Sequence, residues 1–107
     1  MRNFYTATLE RHTKLSNEFA TEPFEVGWAS EAIFFIRIEE CSAKGAANAQ
    51  AQISADGIHW IDEGTAFAPM TALGDYYIRL RHFGGWLRLV GSISGEMEAT
   101  IHLVLKE

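Results

Sequence analysis

Asp75–Ile93, DYYIRLRHFGGWLRLVGSI, is the stretch whose reading decides the fold. Two alternating arms, Asp75–Phe83 and Trp86–Ile93, flank Gly84-Gly85, and a two-residue glycine loop between alternating runs predicts a tight β-hairpin. Zipping outward from that turn sets Phe83 opposite Trp86, His82 opposite Leu87, Arg81 opposite Arg88 and Leu80 opposite Leu89. Ile78, Leu80, Leu87, Leu89 and Ile93 then form a core face, with His82 capping its end near the turn. Tyr77, Arg79, Arg81, Phe83, Trp86 and Arg88 form a cationic, aromatic face. In this register two arginines oppose each other across the strands, and they repel unless something offsets them.

The rest of the chain reads the same way. Ala32–Glu39 places Phe34, Ile36 and Ile38 on one face and Ile33, Phe35 and Arg37 on the other, as in a central strand. Ala47–Ser54 alternates strictly, with Ala47, Ala49, Ala51 and Ile53 against Asn48, Gln50, Gln52 and Ser54. That period of two outweighs the helical preference of alanine. Asp56-Gly57 predicts a second hairpin, returning through His59–Asp62, with Trp60 as a core residue beneath it. Glu63-Gly64-Thr65 and Gly95-Glu96 read as turns, and Ala66–Leu73 as a short strand or crossing loop around Pro69. In the final run Ala99, Ile101, Leu103 and Leu105 share a parity. About eight strands at roughly ten-residue spacing, with no convincing helix, predict an all-β fold. The expected architecture is a single antiparallel β-sandwich or jelly-roll-like domain over residues 1–107. Within residues 1–22, read as an N-terminal arm plus loop, Asn3–Leu9 is expected to be either an edge strand or an arm, followed by a loop at Arg11–Thr21.

At 107 residues the chain has room for one core. A net charge of −5 argues against a general nucleic-acid binder. Cys41 is the sole cysteine, which excludes an intramolecular disulfide and a thiolate metal cluster. The opening MRNFYTATLE lacks signal-peptide features, and the longest apolar stretch, Ala32–Ile36, is far short of the roughly 20 residues of a membrane span. A soluble, cytoplasmic or virion-bound chain is expected.

No catalytic pattern emerges. His12, His59, His82 and His102 lie in separate segments without metal-ligand spacing. Ser54, Ser92 and Ser94 lack a nucleophile-elbow context, and Cys41 lacks a partner motif. Glu39-Glu40 and Asp62-Glu63 are neighbours whose side chains point to opposite faces of a strand. The glycine pairs precede strands and not helix N-termini, so no phosphate cradle is expected. Neither catalytic residues, cofactor nor metal are expected. The binding candidates are Tyr77, Arg79, Arg81, Phe83, Trp86 and Arg88, because Trp, Tyr and Arg dominate interface hot spots.

The segments Gln52–Gly64 (QISADGIHWIDEG) and Tyr77-Ile78-Arg79-Leu80-Arg81 resemble small β-sandwich domains of tailed-phage structural proteins. These carry an S-x-D-G-x-x-W hairpin followed by a strand of the form Y-h-R-h. The resemblance spans about Ala32 to Leu105. It implies a non-enzymatic virion component, such as a capsid decoration, head–tail accessory or tail-associated subunit, and carries no catalytic residues. The charged hairpin is heavier than in such domains. The expected partner is protein, either a second copy of the chain or a larger particle, without nucleic acid or membrane, and a homo-oligomer is expected. The alternative is a carbohydrate-binding module using Trp86, Tyr77, Gln50 and Gln52.

Overall fold

The computed structural model describes residues 3–41 and 47–107. Seven strands run through them: β1 (Phe4–Ala20), β2 (Phe24–Glu25), β3 (Glu31–Cys41), β4 (Asn48–Ser54), β5 (Ile61–Ala66), β6 (Gly74–Arg81) and β7 (Trp86–Lys106). There is no helix among the described residues. All pairings are antiparallel, in the order β5-β4-β7-β3-β6, with β1 and β2 also paired to β7.

The 21-residue β7 organises the molecule. Its odd-numbered side chains Leu87, Leu89, Ile93, Met97, Ala99, Ile101, Leu103 and Leu105 are all buried. A strand that keeps one parity inward for this length must curve around the core. The bend falls at Ser94-Gly95, where β1 slips register between Ser16 and Asn17 and Gly95 takes φ 115°. The C-terminal part of β7 pairs with β3, and its N-terminal part with β4, while β1 follows the other edge. Two half-sheets result. One is β6-β3-β7-β1, built on Met97–Lys106; the other is β5-β4-β7-β1, built on Trp86–Ser92. They close over one core that includes Phe34, Ile36, Leu80, Leu87, Leu89 and Leu103, and the far strands β5 and β6 approach each other to make the sheet nearly closed.

The Gly84-Gly85 hairpin does not form. β6 pairs with β3, and the start of β7 pairs with β4, so His82–Gly85 crosses from one half-sheet to the other. Charge explains the preference. The expected hairpin opposes Arg81 to Arg88, whereas the observed registers oppose Arg81 to Glu31 and Arg88 to Gln52. The inward set Ile78, Leu80, Leu87, Leu89 and Ile93 is buried as expected, because parity does not depend on which strand is the neighbour. His82 is exposed at φ 55° within the crossing, not an inward cap.

Other boundaries also differ. Arg11–Thr21 is not a loop: β1 continues to Ala20, laddered to β7, so Phe4–Leu9 is strand and not a free arm. Gly95-Glu96 bends β7 without ending it, which makes seven strands among the described residues where about eight were expected. Glu63–Thr65 forms a register shift inside β5, not a turn. Ala66–Leu73 takes the second of its two expected forms, a crossing segment, tied by a bridge between Met70 and Ala47. The Asp56-Gly57 turn does join paired strands, but as a wider loop with Ile53 opposite Ile61.

Candidate binding face

The first half-sheet carries an uncovered outer face. Opposite the buried parity of β3, β6, β7 and β1, the registers align four rows across the strands. Phe4, Lys106, Glu31 and Arg81 form the first, and Thr6, Val104, Ile33 and Arg79 the second. Thr8, His102, Phe35 and Tyr77 form the third, followed by Thr100, Arg37 and Asp75. The middle of this face is apolar: Ile33 and Val104 adjoin Phe35, whose ring lies 6.2 Å from that of Tyr77. Tyr77 is 53% exposed and Phe35 38%, so the ring pair is open to solvent on the side away from the core. The Arg79 guanidinium stands 5.0 Å over the Tyr77 ring, within cation–π range. Towards the rims, Arg37 Nε donates to Asp75 Oδ1 at 2.8 Å and Arg81 pairs with Glu31 at 3.3 Å.

The two ends of the face differ in charge. At one end Arg79, Arg81 and Lys106 outnumber Glu31, three cations against one anion. At the other, Glu39, Glu40 and Glu98 outnumber Lys14 and Arg11 beside His12, where Glu40 opposes Glu98 and Lys14 opposes Glu98 from the far side.

The six residues singled out from sequence divide between the half-sheets. Tyr77, Arg79 and Arg81 lie on β6 at the edge of the face just described. Phe83 is half-buried in the crossing, packed against the core. Trp86 and Arg88 open β7 on the other half-sheet, and the Trp86 ring lies against Gly57 in the β4–β5 loop. Arg88 Nε donates to Gln52 Oε1 at 2.8 Å and stacks 4.5 Å over the Trp60 ring. Trp60 is therefore half-exposed beneath a guanidinium and not a core residue. Gln52 and Gln50 both donate to Asp62 Oδ1, at 2.9 and 3.3 Å. Tyr77 consequently shares no face with Trp86, Gln50 or Gln52, the set drawn together for sugar binding.

Ile33, Phe35 and Val104 escaped the sequence reading of the face. Apolar residues on both parities of β3 read as burial on two sides, whereas the outer parity is solvated. Phe4, 72% exposed, marks that the face extends across β1.

In the β4–β5 loop, Asp56 Oδ1 accepts from the backbone N–H of Ile58 and His59 and from the Ser54 hydroxyl, and Oδ2 lies 2.7 Å from His59 Nδ1. The His59 ring first, then these donors, hold the Asp56 carboxyl well below the usual carboxylate range.

No family model and no curated protein matches the chain. Solved structures do share its fold. The SPBc2 prophage-derived protein YomS superposes with TM-score 0.67 at 11% identity, over 100% of this chain and 96% of that one. A chain in the structure of infectious bursal disease virus Gx strain gives TM-score 0.63 at 12% identity, covering 98% of this chain and 32% of the viral one. FlhE gives 0.55 at 7% identity over 98% and 96%. These likenesses establish a shared all-β architecture across phage, viral and other proteins.

Proposed function

We propose that this protein is a non-enzymatic structural subunit of a phage or other viral particle that works by protein–protein contact, and that the outer face of β6-β3-β7-β1 is its contact surface. The observation that carries the reading is the open Phe35–Tyr77 ring pair at the centre of a sheet face whose ends carry opposite charge. A prophage-derived protein that matches the fold over nearly its whole length supports the setting.

The occupant we assign is a second copy of the chain. A two-fold axis near Phe35 lays apolar centre on apolar centre and brings the Arg79, Arg81 and Lys106 end over the Glu39, Glu40 and Glu98 end of the partner. The face covers about eight residues along four strands, roughly 26 by 19 Å from strand geometry. That is about 500 Å², below the roughly 800 Å² per partner of a standard interface. The pairing is therefore weak in isolation and is reinforced in an assembly.

Sedimentation velocity over a range of concentrations, in low and high salt, tests this. Wild type associates as concentration rises, and less so in high salt. Phe35→Ser/Tyr77→Ser stays monomeric with an unchanged unfolding midpoint. The Arg79→Glu/Arg81→Glu chain fails to self-associate yet pairs with Glu40→Arg. Strictly monomeric wild type under all conditions removes the contact surface from the proposal. Mass spectrometry of particles purified from cells carrying the gene checks the virion setting, which fails if the chain is expressed but absent from them.

A further inference from the structure

We propose that His12, Glu39 and Glu98 form a binding site for a divalent transition-metal ion of the zinc type. One ligand atom from each, an imidazole nitrogen and two carboxylate oxygens, lies within 4.8 Å of the others. The residues come from three adjacent strands, and their convergence has a structural cause. β1 slips register between Glu10 and Thr13, and β3 slips between Ile38 and Glu40, both alongside the same stretch of β7. Bulges re-aim side chains, and here two of them, on opposite edges of one strand, turn His12 and Glu39 towards Glu98.

Thr100 fixes the arrangement from below. Its hydroxyl donates to Glu39 Oε1 at 2.9 Å and accepts from the His12 backbone N–H at 3.1 Å. The remaining Glu39 oxygen, Oε2, lies 2.8 Å from His12 Nδ1. Glu98 is half-buried and, among the described residues, has no hydrogen bond or ion pair, although it faces a second carboxylate. Two anions so placed repel, and a cation between them relieves the repulsion. Imidazole together with carboxylates selects a borderline ion such as zinc over calcium or magnesium, which take oxygen ligands alone. Ligands about 2.1 Å from a tetrahedral ion stand roughly 3.4 Å apart. The His12–Glu39 contact therefore needs to open by only a fraction of an ångström, while Glu98 swings inward. Three protein ligands leave a fourth position for water.

This inference does not rest on the pairing of two chains. Zinc chloride titrated into the dilute, tag-free chain by calorimetry is expected to show one site per chain. Glu98→Gln and His12→Ala each weaken it at least tenfold, Thr100→Ala by a smaller factor, and Glu10→Gln leaves it unchanged. Nitrogen-15 spectra of the histidine rings separate ligation from a nonspecific charge effect, because only the His12 ring resonances shift at one equivalent. Absence of binding, or binding unaltered in the His12 and Glu98 variants, overturns the site. Either result leaves the sedimentation behaviour, and hence the assembly reading, to stand or fall by itself.

Discussion

Gly91→Ala tests the bent strand on which both half-sheets depend. Gly91 sits in β7 with Ala49 opposite on β4 and Phe19 opposite on β1. A Cβ there meets the Asn48 carbonyl oxygen and lies 2.5 Å from the Phe19 ring. The clash is purely steric, since the Gly91 φ is not among the positive values. Overpacking of this kind costs about 1–3 kcal/mol. The Asn48 oxygen belongs to the β4 backbone, so relief also weakens the β4–β7 ladder by about 1 kcal/mol. Alanine returns roughly 0.4–1 kcal/mol by restricting the unfolded chain. The net loss is about 1–3.5 kcal/mol, or roughly 5–25 °C in Tm for a domain of this size. Calorimetric melting of the single mutant, and of Gly91→Ala/Phe19→Leu, measures it. The second change removes the aromatic obstacle and should recover part of the loss, with a coupling above about 0.5 kcal/mol. A Gly91→Ala protein within about 0.5 kcal/mol of wild type would refute the packing argument, since that is the range of an inconsequential surface change.

Two further expectations concern the core and the β4–β5 loop. Phe34→Ala empties a fully buried site and should cost about 3–5 kcal/mol in urea denaturation. Ile33→Ala, its neighbour on the outer parity, should cost under about 1.5 kcal/mol, and equal losses would contradict the assignment of the two faces. For Asp56 the folded carboxyl is lowered, so its contribution is present above the unfolded value near about 4 and is lost only as pH falls through the lowered value. Trp86, which lies against Gly57, reports on the loop. In a Trp28→Phe/Trp60→Phe background its emission should hold from neutral pH to about 4 and change in stronger acid. Emission that already changes between neutral pH and about 4 would contradict the assignment of the loop to Asp56.

Parity was legible in the sequence; partnership was not. Every residue of the inward set Ile78, Leu80, Leu87, Leu89, Ile93, Ala99, Ile101, Leu103 and Leu105 is buried, because side-chain alternation is a local property of an extended chain. Which strand lies beside which is decided by long-range competition, and there Gly84-Gly85 misled. The alternating arms satisfied every local rule for a hairpin, yet β3 offers β6 a carboxylate for Arg81 and the apolar partners Phe34 and Ile36. Gly95 misled in the opposite sense, since a glycine with positive φ serves a bulge as well as a turn. Polar Arg11–Thr21 hid a strand because half of an edge ladder faces water, so its sequence needs few apolar residues. The His12, Glu39 and Glu98 cluster was invisible for a related reason: its members are 27 and 59 positions apart, and bulges, which leave little trace in sequence, bring them together.

The crossing from β6 to β7 also decides which surface is free to bind. On the β5-β4-β7 half-sheet the outward side chains satisfy one another: Asp62 receives Gln50 and Gln52, Gln52 receives Arg88, and Arg88 stacks on Trp60. A partner docking there must break or desolvate hydrogen bonds already made, at about 1–3 kcal/mol for each group left unpaired. On the β6-β3-β7-β1 half-sheet the ion pairs stand at the rims, Arg81 with Glu31 and Arg37 with Asp75, while Ile33, Phe35, Val104 and Tyr77 occupy the middle. Covering that middle removes apolar surface from water and strips few polar groups, which is the condition for a net gain on association. Had the hairpin closed as the sequence invited, Arg79, Arg81 and Arg88 would crowd the same face as the rings, and like charge would oppose any basic partner and any second copy. By sending Arg88 to the other half-sheet, the crossover leaves one face with an apolar centre and charge of opposite sign at its two ends, the pattern on which the proposed two-fold contact rests.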